Sequence, residues 1–543
     1  VITEVDERRT LARSTATQTV LIAVSRLTGF VRIVIVAGVL GTTFLGNTYQ
    51  SANTIPNIVF ELFAAGALQA VLVPSLVSRF DRGDHRGAER LAGSVLGHTA
   101  LGLAVLAVLG AVAAPWIMEV LVSGVDDPTI RADQVRLGTV FLLVFLPQII
   151  VYDVGIVATA VLHARGRFAL PAIAPAVNNV VVSGAYLTFW YLRDGKEPSL
   201  DLSVVEIAVL AGGTSFAVLA FCTIPVVGAW RTGFRFRPNL DRSDPVLRAL
   251  AGQGTWAGLY LAMTQVLLGA VLILANRAEG GVVAYQVGFT FFLLPHALFA
   301  LPVLTTLFPT ASRQVQSDDW SALSATIRRG TTAIALFVLP AAAALATLAE
   351  PLSGVALFGN VDRAGAGLIA DVVTGFAPGL IGYALFYFLT RMLYATGDMR
   401  TPTVVHATVV AVGVTTMFVS SVVVDAGSLV PALAWSHSVT YLLGAVALLV
   451  VVRSRLAARS VPVRLGGILG RQLLAAGAAA ATMAGVAVAV DLEGRVGDLA
   501  TLVLAGGAGL VVHLAVQAVL GGPKPWTMLG LLRPNDAPEE VER

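Results

Sequence analysis

Charge is scarce in this chain of 543 residues: Asp, Glu, Lys and Arg together make up 13%. Water-soluble domains carry roughly 25%, so a string of soluble domains is excluded. Cysteine is scarcer still. The single Cys222 rules out an intrachain disulfide framework and any multi-cysteine metal site. Lysine is almost missing, since only Lys196 and Lys524 stand among 36 basic residues. The net charge of +3 gives no nucleic-acid surface, because the arginines lie between apolar runs instead of clustering on one exposed patch. Also missing are a Walker A loop, a nucleophile elbow and a zinc motif. ATP hydrolysis, covalent catalysis and a resident cofactor therefore have no local support. His98, His296, His406, His437 and His513 lack metal-ligand spacing and read as interhelical hydrogen-bond partners.

What the chain has in abundance is apolar sequence. Hydrophobic residues make up 56% and the mean hydropathy is +0.80. They fall into fourteen runs long enough to cross a bilayer core, which takes roughly 20 residues each. The first run starts after Thr15 and is itself long enough to span, so it reads as a transmembrane helix and not a cleavable signal. Counting Lys and Arg on alternate sides gives 26 against 7, which places both termini in the cytoplasm. The expected fold is an all-α polytopic membrane protein with fourteen spans. Its segments are a cytoplasmic stretch at 1–15, an N-lobe of six spans at 16–235, a C-lobe of six at 236–452, two further spans at 453–521 and a tail at 522–543, disordered at its end.

An internal repeat supports the two lobes. Leu162-His163-Ala164-Arg165-Gly166 with Pro171 and Leu393-Tyr394-Ala395-Thr396-Gly397 with Pro402 both read L-x-A-x-G-x-x-x-x-P, 231 residues apart. Leu72-Val73-Pro74-Ser75 with Leu307-Phe308-Pro309-Thr310, and Ala114-Pro115-Trp116 with Glu350-Pro351-Leu352, repeat at nearly the same distance. The displacement covers six spans, an even number, so both copies have one orientation and form lobes related by an axis along the membrane normal. Parallel repeats of this kind imply a central cavity and alternating access by rocking lobes. An inert duplicated scaffold is the competing reading.

Only Arg26, Arg32 and Arg391 among the basic residues fall inside expected spans. A guanidinium there costs a few kcal/mol on insertion scales unless it meets water or a partner. In Ser25-Arg26-Leu27-Thr28-Gly29-Phe30-Val31-Arg32, helical spacing puts Ser25, Gly29 and Arg32 within about 60° of one another and Arg26 about 9 Å from Arg32 along the axis. Arginine forks match phosphate oxygens, so the pair is a candidate diphosphate clamp. The alternative has Arg26 snorkelling to the surface and Arg32 paired with a buried acid. In the second span, 48–77, Asn53, Asn57 and Glu61 recur every fourth residue as a polar stripe, interrupted by Pro56. Such a stripe faces water, substrate or another polar helix, and an ion pair from Glu61 to Arg26 or Arg32 would account for it equally well. Asp153 in the fourth span and Asp371 near the start of the tenth are candidate ion-coupling carboxylates; Asp371 as a helix cap is the plainer reading. Asn178-Asn179 reads as lobe packing. The Ala- and Gly-rich spans 13 and 14 allow either close helix packing or lipid-accessible furrows.

Taken together these residues resemble the MviN/MurJ group of lipid II flippases, within the superfamily of multidrug and polysaccharide exporters. The likeness is carried by S-R-x-x-G-F-x-R at Ser25 to Arg32, and by Pro56-Asn57 with Leu62-Phe63, Gly66-Ala67 and Val73-Pro74. It continues through Ala113-Ala114-Pro115-Trp116, Arg167-Phe168 with Pro171-Ala172, Ala174-Pro175 and Asn178, and Gly397 with Thr401-Pro402. The resemblance implies translocation of undecaprenyl-diphosphate-linked disaccharide-pentapeptide across a bacterial cytoplasmic membrane. It also implies that Arg26 and Arg32 match cavity arginines, and that spans 13 and 14 form a groove for the polyprenyl tail. Ile33, Asn47, Phe60, Glu61 and Thr290 depart from the charged residues usual in the group, so the cavity is less cationic.

The leading expectation is therefore a non-enzymatic lipid II flippase. It would bind substrate with Ser25, Arg26, Gly29, Arg32, Asn53, Asn57 and Glu61, and draw on sodium, protons or the membrane potential. Its partners would be lipid II, membrane lipids and cell-wall synthesis proteins, with no nucleic acid. Competing expectations are a drug or metabolite antiporter using Glu61, Asp153 or Asp371, a flippase of another polyprenyl-diphosphate glycan, and a transport-inactive scaffold that recruits cell-wall enzymes.

Overall fold

The computed structural model describes residues 4–63, 72–247, 255–356, 358–462, 465–490, 492 and 494–522. Every element described is helical. The expected tail beyond Gly522, Arg248, Arg464 and the Gly66-Ala67 pair lie outside the described residues.

The chain opens with α1 (Glu4–Leu40), α2 (Phe44–Phe63), α3 (Val73–Asp81), α4 (His85–Leu121), α5 (Pro128–Phe145), α6 (Gln148–Ala164) and α7 (Ala169–Arg193). A short α8 (Val204–Ile207) leads through the π-helical turn Ala208–Gly212 into α9 (Gly213–Arg231). Then come α10 (Thr255–Ala275), α11 (Gly281–Pro295), the π-helical turn His296–Ala300, α12 (Leu301–Gln316), α13 (Trp320–Thr347) and α14 (Ala349–Ala356). The last six are α15 (Arg363–Phe376), α16 (Gly379–Ala395), α17 (Arg400–Val423), α18 (Ala426–Ala457), α19 (Gly466–Ala489) and α20 (Gly494–Val519). The span expected from residue 16 lies within α1, whose helix starts at Glu4.

Among the described residues, twelve spans are long and apolar enough to cross a membrane, and the pair α15 and α16, bent by 48°, brings the number to thirteen. The expected fourteenth is α2. It is helical for 20 residues, but Asn47, Gln50, Asn53, Asn57 and Glu61 leave it too polar to pass on hydropathy.

The repeat seen in the sequence is repeated in the backbone. Helices α6 and α16 end at Ala164 and Ala395, and α7 and α17 begin at Ala169 and Arg400, each pair 231 residues apart. The glycine of each turn takes the left-handed conformation, with φ of 68° at Gly166 and 80° at Gly397. Leu162 and Leu393 carbonyls accept from the amides of Arg167 and Asp398 at 2.9 and 3.2 Å. These bonds satisfy carbonyls that a helix end would otherwise leave bare, and only glycine adopts the turn without a Cβ penalty. Upstream, Pro147 and Pro378 stand at equivalent breaks between α5 and α6 and between α15 and α16. Asp84 and Asp319 cap α4 and α13, accepting from Gly87 and Ala322 amides at 2.8 and 2.9 Å. Each cap satisfies one free amide at the first turn.

By internal contacts the chain separates into two compact units, 1–283 with 358–362, and 284–357 with 363–543. The first unit runs past the lobe boundary expected at residue 235, because α10 packs with α2 and α4. Its apolar core joins Leu72 and Leu76 of α3, Leu91 and Val95 of α4, Val157 and Val161 of α6 and Phe234. In the second unit, rings of Phe289, Phe292, Phe376 and Tyr441 surround buried His437 at 4.8 to 5.7 Å between centroids. The imidazole Nδ1 lies 3.3 Å from the Tyr285 hydroxyl. Helices α19 and α20 pack on each other through Gly509, where a Cβ would come within 2.4 Å of Met483. They dock on α13 by hydrogen bonds from Gln472 to the Thr332 carbonyl at 3.1 Å and from His513 to that of Leu336 at 3.2 Å. The small residues of α19 and α20 thus serve close packing on one face, while Leu473, Leu474, Leu510 and Val511 remain exposed on the other.

Candidate functional site

The first unit gathers most of the expected site residues. Arg32, on α1, is half-buried and lies next to the Tyr186 hydroxyl. Tyr186 meets Tyr49 at 2.8 Å, and Tyr49 meets Thr214 at 2.6 Å. Thr214 donates to the Leu210 carbonyl at 2.7 Å. Each hydroxyl has one proton, so that last bond fixes the others: Tyr49 donates to Thr214 and Tyr186 donates to Tyr49, which leaves the Tyr186 oxygen free to accept from Arg32. Leu210 lies in the π-helical turn Ala208–Gly212. Tyr49 is locked in place by edge contacts with Phe141, Phe145 and Tyr186 at 5.7 to 5.8 Å. Among the described residues no ion pair joins Arg32 to an acid, and its polar neighbour is Tyr186. The Arg32 Nε is buried and makes no hydrogen bond.

Arg26 is exposed. Ser25 and Gly29 face α7, where Asn179 donates to the Ser25 carbonyl and to Thr28 Oγ1, both at 3.2 Å. Asn179 is thus a packing residue, as its sequence context suggested. A Cβ on Gly29 would reach Asn179 at 3.4 Å, an ordinary contact, so packing does not demand glycine there.

On α2, Asn57 returns its amide to the Asn53 carbonyl at 2.8 Å and accepts from the Tyr152 hydroxyl at 3.1 Å. The Tyr152 ring lies tilted against that of Phe60, with centroids 4.3 Å apart. Glu61 is exposed and accepts from Gln265 of α10 at 2.9 Å. Among the described residues no ion pair joins Glu61 to Arg26 or Arg32. Asn47, buried completely, binds the Ala278 carbonyl and the Val282 amide at 2.8 and 2.9 Å.

The two coupling carboxylates stand apart from this network. Asp153 is buried and accepts from Thr99 at 2.8 Å. Asp371, in the second unit, is exposed in the third turn of α15; the helix begins eight residues earlier, so it caps nothing. Thr290 bonds only its own helix, at the Gln286 carbonyl. Among the described residues no group of three His, Cys, Asp or Glu side chains could hold a metal ion.

Sequence reasoning missed Tyr49, Tyr152, Tyr186, Thr214 and Gln265. One signal was available: Tyr49 stands one turn before Asn53, Asn57 and Glu61 in the same every-fourth-residue series.

A helical chain with twelve or more apolar spans, an internal repeat and an arginine beside a buried tyrosine within an apolar helix is a multi-pass membrane transporter. The profile of the family described as lipid II flippase MurJ matches residues 36–500, and the chain belongs to that family. The match begins after Arg32, so the role of the two arginines rests on their geometry and motif. The probable lipid II flippase MurJ of Rhizobium meliloti is 26% identical over 395 residues, covering 72% of this chain and 71% of that one. The lipid II flippase MurJ of Burkholderia cenocepacia is 25% identical over 393 residues, covering 70% and 72%. A solved structure of lipid II flippase MurJ in an inward closed conformation superposes with a TM-score of 0.74 at 16% identity, over 92% of this chain and 98% of that one. An inward-facing multidrug transporter of the MATE family gives 0.64 at 13% identity, over 82% and 98%. The structural likenesses show a shared fold.

Proposed function

We propose that this chain is a lipid II flippase of a bacterial cytoplasmic membrane, moving the undecaprenyl-diphosphate-linked precursor from the inner to the outer leaflet. The observation that carries the proposal is Arg32: a guanidinium within a membrane-spanning helix, beside the Tyr186 hydroxyl and with its Nε unsatisfied. Its remaining donors suit phosphate oxygens, which form shorter and stronger bonds with a guanidinium than a phenol does. Arg26, exposed two turns away, supplies a second fork for the diphosphate. Asn53, Asn57 and Glu61 complete the substrate-facing surface, with Tyr152 fixing Asn57, while Ser25 and Gly29 seat the arginine helix on α7.

In this reading α2 is the fourteenth span, both termini are cytoplasmic, and the lobes at 16–235 and 236–452 alternate their opening. The spans at 453–521 guide the polyprenyl tail. Transport needs no cofactor and draws on sodium, protons or the membrane potential, with Asp153 and Asp371 as coupling candidates; cell-wall synthesis proteins are its partners. The test is replacement of the native flippase in a depletion strain, scoring lipid II at the outer leaflet. Rescue is expected with the wild-type chain and lost with Arg26→Ala or Arg32→Ala at equal membrane abundance. No rescue by the wild-type chain at normal abundance would overturn lipid II as the substrate.

A further inference from the structure

A second cationic site lies in the second unit, at the end of α13, α19 and α20. Arg328 and Arg329 of α13, Arg471 and Gln472 of α19, and Gln517 of α20 line a cleft of about 300 Å³ that also borders Gly522. Among the described residues no acid pairs with these arginines. Arg471 is steered across the helix ends by bonds to the Gly467 and Leu520 carbonyls, both at 3.0 Å.

The floor of the cleft is polar and unsatisfied. Gln517 is 2% exposed and Gln472 1%. Neither the amide nitrogen nor the oxygen of Gln517 has a hydrogen-bond partner, and the Gln472 oxygen has none. Buried amide groups left unpaired are costly, so the cleft is shaped for an occupant with both acceptors and donors. Three guanidinium groups select a phosphate. The free Gln472 and Gln517 oxygens select hydroxyl donors beside it. An ammonium headgroup would meet like charge, and choline has no donor to offer.

The walls leading to the cleft are apolar and outward-facing. Leu510 and Leu514 lie on the same face of α20 as Gln517, at 50% and 38% exposure, and Leu474 follows Arg471 one turn along α19 at 66%. Acyl chains would continue along these stripes. We propose that the cleft is a binding site for an anionic phospholipid with a hydroxylated headgroup, the phosphate among Arg328, Arg329 and Arg471 and the hydroxyls on Gln472 and Gln517. The site is separate from the substrate arginines of the first unit.

The test uses the full chain in phosphatidylcholine bilayers, alone or with a minor fraction of phosphatidylglycerol or phosphatidylethanolamine. Lipid retention is read by native mass spectrometry, and Tm is followed alongside. Phosphatidylglycerol should be retained in preference to both others and should raise Tm. Arg328→Gln with Arg329→Gln should weaken that preference about tenfold, the loss of roughly one charge-assisted contact, whereas Arg453→Gln, outside the cleft, should leave it intact. Gln517→Leu should raise Tm in phosphatidylcholine by removing the unpaired amide, yet abolish the phosphatidylglycerol increment. Equal retention of all three lipids, or a preference untouched by these cleft variants, would overturn the proposal. So would displacement by soluble glycerol phosphate or inorganic phosphate at matched occupancy, which would assign the cleft to a free anion.

Discussion

The buried polar groups of the two units are organised in opposite ways. In the first, hydroxyls of Tyr186, Tyr49 and Thr214 form a relay that begins at the charged Arg32 and ends on a backbone carbonyl. In the second, His437 sits inside a shell of aromatic rings with one long contact to Tyr285. A repeat that keeps the same turns at Gly166 and Gly397 has thus diverged at its centres. One centre keeps a permanent cation in reach of a ligand; the other is packed and neutral. In the proposed reading the transported diphosphate is met at the centre of the first unit and not at that of the second, and that asymmetry can be tested by paired substitutions.

The largest difference is expected between Arg32→Ala and His437→Leu. Removing the guanidinium strands a buried phosphate contact, a loss of about 2–5 kcal/mol, and should abolish lipid II delivery in the depletion assay. His437→Leu should keep delivery within about twofold, since an unpaired ring nitrogen is removed along with a weak bond. Equal losses would break the comparison.

Next comes Tyr186→Phe against Tyr285→Phe. The first leaves Arg32 and Tyr49 without their shared partner and should destabilise the protein by about 1–3 kcal/mol, with delivery reduced; the second, at 3.3 Å, should cost less than about 1 kcal/mol. Thermal unfolding in one detergent measures both. Asp153→Asn should do less again. The amide oxygen still accepts from Thr99, so delivery within about twofold of wild type is expected for a bond preserved in this way, and a total loss would make Asp153 a coupling group.

The smallest effect is expected at Asp398→Asn, outside the spans. Partial burial pushes the Asp398 carboxyl up, but hydrogen bonds from Thr401 and the Arg455 guanidinium at 2.6 Å outweigh it and hold the group below its ordinary value. A depressed folded value means that its stabilisation is present above the ordinary carboxylate range and is lost as pH falls below it. Because both side chains are partly exposed, the pair is worth at most about 1 kcal/mol. Between neutral pH and pH about 3, wild type should lose slightly more Tm than the variant, and equal losses would assign the pair no role.

Features that depend on local chemistry were legible in the sequence. The turn Leu-x-Ala-x-Gly with a later Pro was readable because a left-handed residue and a helix restart each demand a particular amino acid. Arg26 and Arg32 were readable because charge in an apolar run is conspicuous. The tyrosine relay was not, since tyrosine counts as hydrophobic in a run and its hydroxyl matters only once α2, α7 and α9 are packed. Gln265 escaped for the same reason, as its partner Glu61 is 204 residues away. The stripe on α2 was visible, and that helix was counted from the sequence as the second span although its polarity keeps it below the hydropathy of the others.

The direction of the relay also sets how easily Arg32 can change partners. Because Thr214 is anchored on the Leu210 carbonyl, every hydroxyl proton points away from the guanidinium. A phosphate that draws Arg32 away from Tyr186 therefore leaves the bonds of the relay undisturbed. Capture and release of the anion then amount to a single exchange of acceptors, with the remainder of the first unit left unchanged.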